Sequence, residues 1–557
     1  MMYLRLTWAT LMLAAFAAAQ PPPATDPKDL ATLSGQVVSL AGQPLKKTTL
    51  TLRGTGQTYT ATSDAEGKFL LEGVSPGRYS LMAERQGYLR QTYGAKRASG
   101  LGTQLSVNPG ETLKDLKLSL TPQAAISGKV LDDEGDPVAQ VMVRASRFMF
   151  INGKRQIMPG GGGTTDENGD FKLGGLAPGR YFVIASPQRA MFSLDNSTLA
   201  APKPGKIEED LVSTYHPSAA DFASATPVDI TAGNNVSGAD VRLRKTQVVR
   251  VKGKVVGQPA ARLRVMLMQP GSAMMSPFSQ SSALVGKDGS FELTHVLPGS
   301  YTVAAIIMEG MSQMLGQQQI EVGAQNLEGV VLALHSPFEL RGSVQTVGEP
   351  ANAAPPGAKP PTMRIFLNGA DGVQFNSPQA TVNEDGTFTL PNVSPGKYRL
   401  NIFGTPAGTY VKAIRYGSLD ALEQGLDLND GAGGALQVVL SNAAGQISGS
   451  VQTDQQPADS ATVTLIPDPP SPDRPGLYQQ TDVDQNGKFT FHNLTPGKYR
   501  VYAWEDLEPG IQQDPEFMKP LESLGANVAV GENGKEQVTV TRISAATVDE
   551  ARLKSGR

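Results

Sequence analysis

The stretch Asp64-Ala65-Glu66-Gly67-Lys68-Phe69-Leu70-Leu71-Glu72-Gly73-Val74-Ser75-Pro76-Gly77-Arg78-Tyr79 decides the fold. Gly67 supplies the positive φ of a tight hairpin turn. Phe69-Leu70-Leu71 then reads as an alternating strand. Pro76-Gly77 closes the next turn, with the proline presetting φ. Tyr79, Leu81 and Ala83 share one face of the strand that follows, because successive side chains on a strand point to opposite faces.

The pattern returns four more times. Gly169 and Phe171 go with Pro178-Gly179-Arg180-Tyr181, and Gly289 and Phe291 with Pro298-Gly299-Ser300-Tyr301. Gly386 and Phe388 go with Pro395-Gly396-Lys397-Tyr398, and Gly487 and Phe489 with Pro496-Gly497-Lys498-Tyr499. The two glycines stand ten residues apart in every copy. Ahead of each copy lies Gly-x-Val, at Gly35, Gly128, Gly253, Gly342 and Gly449, read as the first strand of a module. A variable loop and a last apolar strand, such as Leu116-Lys117-Leu118-Ser119-Leu120, complete it. About seven short strands per module suit a Greek-key sandwich.

The reading is therefore an all-β chain of five tandem Greek-key, prealbumin/Ig-like β-sandwich modules in an extended row. Their boundaries are 32–122, 123–246, 247–336, 337–443 and 444–545, after a Pro-rich linker at 20–31 and before a C-terminal tail at 546–557. Residues 1–19 read as a secretory signal. Arg5 is the only charge before Asp26, Leu6 to Ala15 is mostly apolar, and Ala17-Ala18-Ala19 is a small-residue cleavage site. The apolar run is too short to span a bilayer. The expected location is the periplasm, the cell surface or the medium.

Composition agrees and excludes several classes. The 557 residues exceed one hydrophobic core, and 60 Gly with 40 Pro suit many tight turns. Forty-nine basic residues balance 52 acidic ones, with no basic run of the kind that binds nucleic acid. Cysteine is absent, which removes disulfides, thiolate nucleophiles and thiolate metal sites.

The combination of Gly-x-Val, Asp-x-x-Gly-x-Phe and Pro-Gly-x-Tyr resembles the carboxypeptidase regulatory-like domain. That resemblance implies a prealbumin-like fold, grouped with carbohydrate-binding-like sandwiches. Tyr410 to Gly417 and Ala503 to Gly510 resemble segments of large secreted bacterial proteins built from such modules. The motif is specific for fold and weak for function, since these modules accompany peptidases, transporters and adhesins alike.

The sequence carries no recognisable catalytic constellation. His216, His295, His335 and His492 fall outside any zinc-binding spacing. Gly73-Val74-Ser75-Pro76-Gly77 matches the hydrolase elbow in letters, yet it joins two strands where the elbow needs a strand-to-helix turn. Asp482-x-Asp484-x-Asn486-Gly487 copies the start of a calcium loop, but Asn493 stands where the bidentate Glu belongs. Gly160 to Gly163 lacks the Lys-Ser/Thr of a phosphate loop and reads as a flexible loop tip. No catalytic residue, metal site or cofactor is expected.

Two sets of residues remain as ligand-binding candidates. Tyr93, Tyr215 and Tyr416 lie in the variable loops, where aromatics either contact partners or fold back over a sheet edge. Arg500, Tyr502 and Trp504 alternate with the inward Tyr499, Val501 and Ala503, so they share an outer face. Open, that face is a stacking platform for a sugar or peptide; covered by the loop from Glu505 to Gly525, it is structural. The expected function is a non-catalytic binding or scaffold array for glycan or protein ligands. A structural spacer or adhesin-like stalk is one alternative. An accessory subunit of an extracellular peptidase or polysaccharide-processing system is another.

Overall fold

Each Gly-x-Val strand forms the middle of a sheet. In the computed structural model it pairs antiparallel with the Gly-x-Phe strand and parallel with the last strand of its module. Residues Ala31–Ser39 do so with Lys68–Val74 and Thr112–Leu120, and the other four modules repeat the arrangement. The Pro-Gly-x-Tyr strand lies in the facing sheet, paired with the second strand of the module. The structure describes residues 27–555 except 55, 96, 99, 101, 152–153, 188–207, 223, 258–262, 269–280, 308–312, 350–361, 370–376, 455 and 459. The proposed signal segment lies outside the described residues.

Three contacts explain the repeated residues. The acidic residue opening the turn accepts backbone N–H groups: Asp64 Oδ1 from Glu66 and Lys68 at 3.0 and 2.7 Å, Asp484 Oδ1 from Asn486 and Lys488 at 2.8 and 2.9 Å. The turn glycines have φ between +71° for Gly487 and +83° for Gly289. The glycine of Gly-x-Val leaves room for the phenylalanine ring: a β-carbon on Gly449 would lie 2.7 Å from Phe489 Cζ, and one on Gly253 2.5 Å from Phe291 Cζ. The tyrosine hydroxyl ties its own turn, Tyr79 donating to Ser75 O at 2.8 Å and Tyr499 to Thr495 O at 2.7 Å. Burial pushes the Tyr79, Tyr301, Tyr398 and Tyr499 phenols up to about 12. Each module closes over its own core, such as Leu33, Val37, Leu50, Leu81 and Leu118 in the first.

Gly160 to Gly163 is not a loop tip. It belongs to the edge strand Lys154–Thr164, hydrogen-bonded to Val141–Ile151. Its glycines let neighbours close in: a β-carbon on Gly160 would lie 2.5 Å from the Tyr181 ring. The segment read as a C-terminal tail forms the helix Ala545–Lys554, capped by Ser544 and burying Val548 and Ala551.

Neighbouring modules share structure. The strand Glu208–Val212 falls within 123–246 but pairs with Arg244–Val248, the start of the third module's first strand. There the buried Arg250 donates to Glu208 Oε2 and Glu292 Oε1, both at 2.9 Å. Asn493, in the fifth module, accepts from Gly408 N at 2.8 Å and donates to Pro406 O at 3.1 Å in the fourth.

The modules do not form the simple extended row expected from short links. The fifth touches the first through the Arg97–Asp506 ion pair and through Gln485, whose side chain meets the Ser106 backbone at 3.4 and 3.5 Å. It also touches the second, where Gly510 packs directly on the Phe150 carbonyl. The loop and helices after Trp504, which build an apolar cluster of their own, carry the contacts made by Asp506 and Gly510.

Candidate functional site

The outer face of the strand Gly497–Trp504 is covered. Tyr502 stacks on Trp504 with centroids 5.4 Å apart and planes 17° apart, but neither ring is open to solvent. The chain after Trp504 folds back over them. Asp514 caps the short helix Pro515–Met518, which brings Phe517 to 6.4 Å from Trp504. Gly525 passes so close to Tyr502 that a β-carbon there would lie 2.5 Å from the ring. Ile511, Leu521, Ile543, Val548 and Ala551 complete a second core in this module. Arg500 is held by Asp468 at 3.2 Å and Glu522 at 2.7 Å. The hydrogen bond that Arg500 donates to Glu522 leads the effects that raise its pKa further. The platform expected of Arg500, Tyr502 and Trp504 is therefore not formed, because burying two large rings outweighs leaving them in water.

The loop aromatics divide in the same direction. Tyr416 is on the strand Tyr410–Tyr416 and buried in the fourth module's core. Tyr93 is half-buried against the first module's core, its N–H donating to Leu81 O at 2.8 Å. Tyr215 meets Phe222 edge-on at 5.4 Å. Asp482, from the calcium-like run, is half-buried beside Thr462, and loss of water around it raises its pKa to about 7. Asp484 spends Oδ1 on the turn N–H groups described above. Among the described residues no group of three or more His, Cys, Asp or Glu gathers as a metal site.

What the fold does build is a cleft of about 570 Å³ where the second and fifth modules meet, with Arg97 of the first at its rim. That volume is within the usual range for ligand pockets. The second module's long hairpin supplies Arg147, Phe148 and Phe150. Its Tyr strand supplies Phe182, and the fifth module adds Ile511 and Leu553. Phe148 and Phe182 are backed by Phe222, whose centroid lies 4.3 and 4.1 Å from theirs. Phe150 also packs against the fifth module's second core, so the hairpin acts as a clasp.

The charges of the cleft are mostly paired. Arg180 holds Asp229 at 2.9 Å, Arg97 holds Asp506, and Arg552 lies 3.5 Å from Glu508 and 3.6 Å from Asp549. Arg147 is the exception: among the described residues it has no hydrogen bond and no ion pair. Its field reaches the Tyr181 phenol, where it opposes the larger rise caused by burial.

Pro178, Gly179 and Arg180 belong to the repeat and Pro509 to the Ala503–Gly510 stretch, but none of the cleft residues stood out in sequence as a binding candidate. One signal was available: Phe182 occupies the outward position that Arg500 occupies in the fifth module, directly after the tyrosine.

Comparison with known proteins adds a family for one module. Matches among solved structures include the Bacillus anthracis TIE protein, 14 % identical over 55 % of this chain, with a TM-score of 0.17. This chain spans 51 % of that protein. GBS52, the minor pilin of Streptococcus agalactiae, is 12 % identical, with 42 % of this chain and 99 % of that one covered and a TM-score of 0.21. BcpA, the major pilin subunit of Bacillus cereus, is 9 % identical over 55 % of this chain and 99 % of its own, with a TM-score of 0.14. No curated protein matches the sequence. Residues 32–121, the first module, match the carboxypeptidase regulatory-like domain, and the same turn-and-strand signature runs through the four modules that follow.

Proposed function

We propose that this chain is a non-catalytic scaffold and binding protein that works outside the cytoplasm, and that it engages a glycan or protein ligand at the cleft between its second and fifth modules. The observation that carries the reading is the clasp. The Val141–Ile151 hairpin strand reaches the fifth module, Gly510 closes on Phe150, and a lined cleft remains beneath the contact. A mere spacer has no use for a separate apolar core spent on closing the chain on itself. Export rests on the N-terminal sequence. Among the described residues no helix is long and apolar enough to cross a membrane.

The test is a retention screen of the chain from Gln20 onward against polysaccharide and protein fractions of bacterial envelopes. Saturable retention of one fraction, reduced when Phe148 and Phe182 are both changed to Ser, is the expected result. No retention of any fraction leaves the spacer reading in its place.

A further inference from the structure

We infer that the cleft takes the C-terminal end of an apolar peptide, with its carboxylate on Arg147 and its apolar side chains against Phe148 and Phe182. This deepens the binding half of the reading above and rests on it.

Three observations lead there. The first is charge. Every other arginine at the cleft already faces a carboxylate of the protein: Arg97 with Asp506, Arg180 with Asp229, Arg552 with Glu508 and Asp549. Arg147 lines the same space, is half-buried and has no such partner among the described residues. A guanidinium held partly out of water gains most from a carboxylate, which its planar donors match in geometry.

The second is the character of the walls. Beyond the charged groups they are Phe, Pro, Ile, Leu and one Gly. Among the described residues no Asn, Gln, Ser, Thr, Tyr or Trp side chain lines the cleft. A sugar presents several hydroxyls, each losing water on entry, and the charged side chains that could replace that water, Arg180 with Asp229 and Arg552 with Glu508 and Asp549, are already paired with one another. Apolar side chains lose nothing of that kind. The lining therefore favours peptide over glycan.

The third is number. Among the described residues Arg147 is the one cation of the cleft left without a counter-charge, and it stands beside Phe148 and Phe182, which matches one carboxylate on an apolar body. A chain terminus ending in apolar residues has that composition, whereas a polyuronate carries an acid on every ring.

Isothermal titration of the chain from Gln20 onward with N-acetyl-Phe-Phe as its free acid, with the same dipeptide as its amide, and with a galacturonate tetramer decides the matter. The acid is expected to bind roughly ten-fold or more tightly than the amide, as a charge-assisted hydrogen bond would give. The tetramer is expected not to bind. Arg147→Met should bring the acid to the level of the amide without changing the melting temperature. Equal binding of acid and amide, binding of the tetramer instead, or an acid affinity that survives Arg147→Met overturns the inference. If Arg147→Met fails to fold, the acid-to-amide ratio in the unaltered chain decides alone. Retention of an envelope fraction that Arg147→Met leaves intact would sink this inference and spare the proposed function. A chain that retains no fraction and binds neither dipeptide loses both.

Discussion

Trp504 donates its indole N–H to Thr464 Oγ1 at 2.8 Å in a site closed to solvent. It is one of only two tryptophans, and the other, Trp8, lies in the segment read as a signal. Fluorescence of the chain from Gln20 onward thus reports this position alone. Emission should be blue-shifted and resistant to iodide. Trp504→Ala should cost about 3–5 kcal/mol in chemical denaturation, as for other large buried side chains. Thr464→Val should cost about 1–3 kcal/mol, because the N–H is left buried without an acceptor. Red-shifted, quenchable emission would show the cap to be open.

Gly510 meets the Phe150 carbonyl with no room for a side chain, at a φ of +87°. Gly510→Ala should therefore loosen the clasp while each module keeps its own core. Five domains of about 35 Å in a row would span on the order of 150 Å. Small-angle scattering should give the unaltered chain a shorter maximum dimension than that, and Gly510→Ala a longer one than the unaltered chain. Identical scattering curves for the two would contradict the clasp.

Asp482 gives a pH dependence with a definite sign. Its carboxyl titrates at about 7 in the folded chain, chiefly through burial, with the Thr462 hydrogen bond opposing the rise. An unfolded aspartate titrates at about 3.9. Between those values the folded chain keeps a proton that the unfolded chain has released. The contribution to stability is full below the lower value and is lost as pH rises through the upper one. Asp482→Asn should remove that slope. Melting temperatures at about pH 5 and about pH 8 should fall further for the unaltered chain than for the variant. Chelator should move neither, since Asp484 Oδ1 already serves the Asn486 and Lys488 N–H groups.

Gly449 tests the repeat itself. A β-carbon there would strike the Val538 carbonyl and the Phe489 ring, so Gly449→Ala should cost about 1–3 kcal/mol as an overpacked site. Gly531→Ala is the control, since nothing lies within 4 Å of that position. Its effect should stay within about 0.5 kcal/mol, as for ordinary surface changes. Equal losses in a denaturant titration would show that the motif glycine has no packing role.

The modules were legible because their signals are local. A turn glycine, a tyrosine hydroxyl bonded four residues back and a strict two-residue alternation all act within about fifteen residues of chain, and they are written out five times. The candidate site was not legible for the opposite reason. Outward positions on a strand are defined by what later chain packs on them. Arg500, Tyr502 and Trp504 look the same in sequence whether Phe517 and Ile511 cover them or not. Phe148 and Phe182 look like scattered surface aromatics until Phe222 backs them and the fifth module closes over the space.

The sequence alone determined the all-β class, the five sandwiches, the inward tyrosines and the absence of thiol chemistry, since each follows from residue type and short spacing. Only the tertiary structure decided that the chain turns back on itself, that Trp504 is core, and that Arg147 has no ion-pair partner among the described residues. Those facts depend on contacts such as Arg97 with Asp506, 409 residues apart, which no short-range pattern encodes. The apolar part of that closure, Phe150 against the core around Trp504 and Phe517, is equally unreadable from spacing, because burial of apolar surface is non-directional and indifferent to where along the chain the surfaces lie.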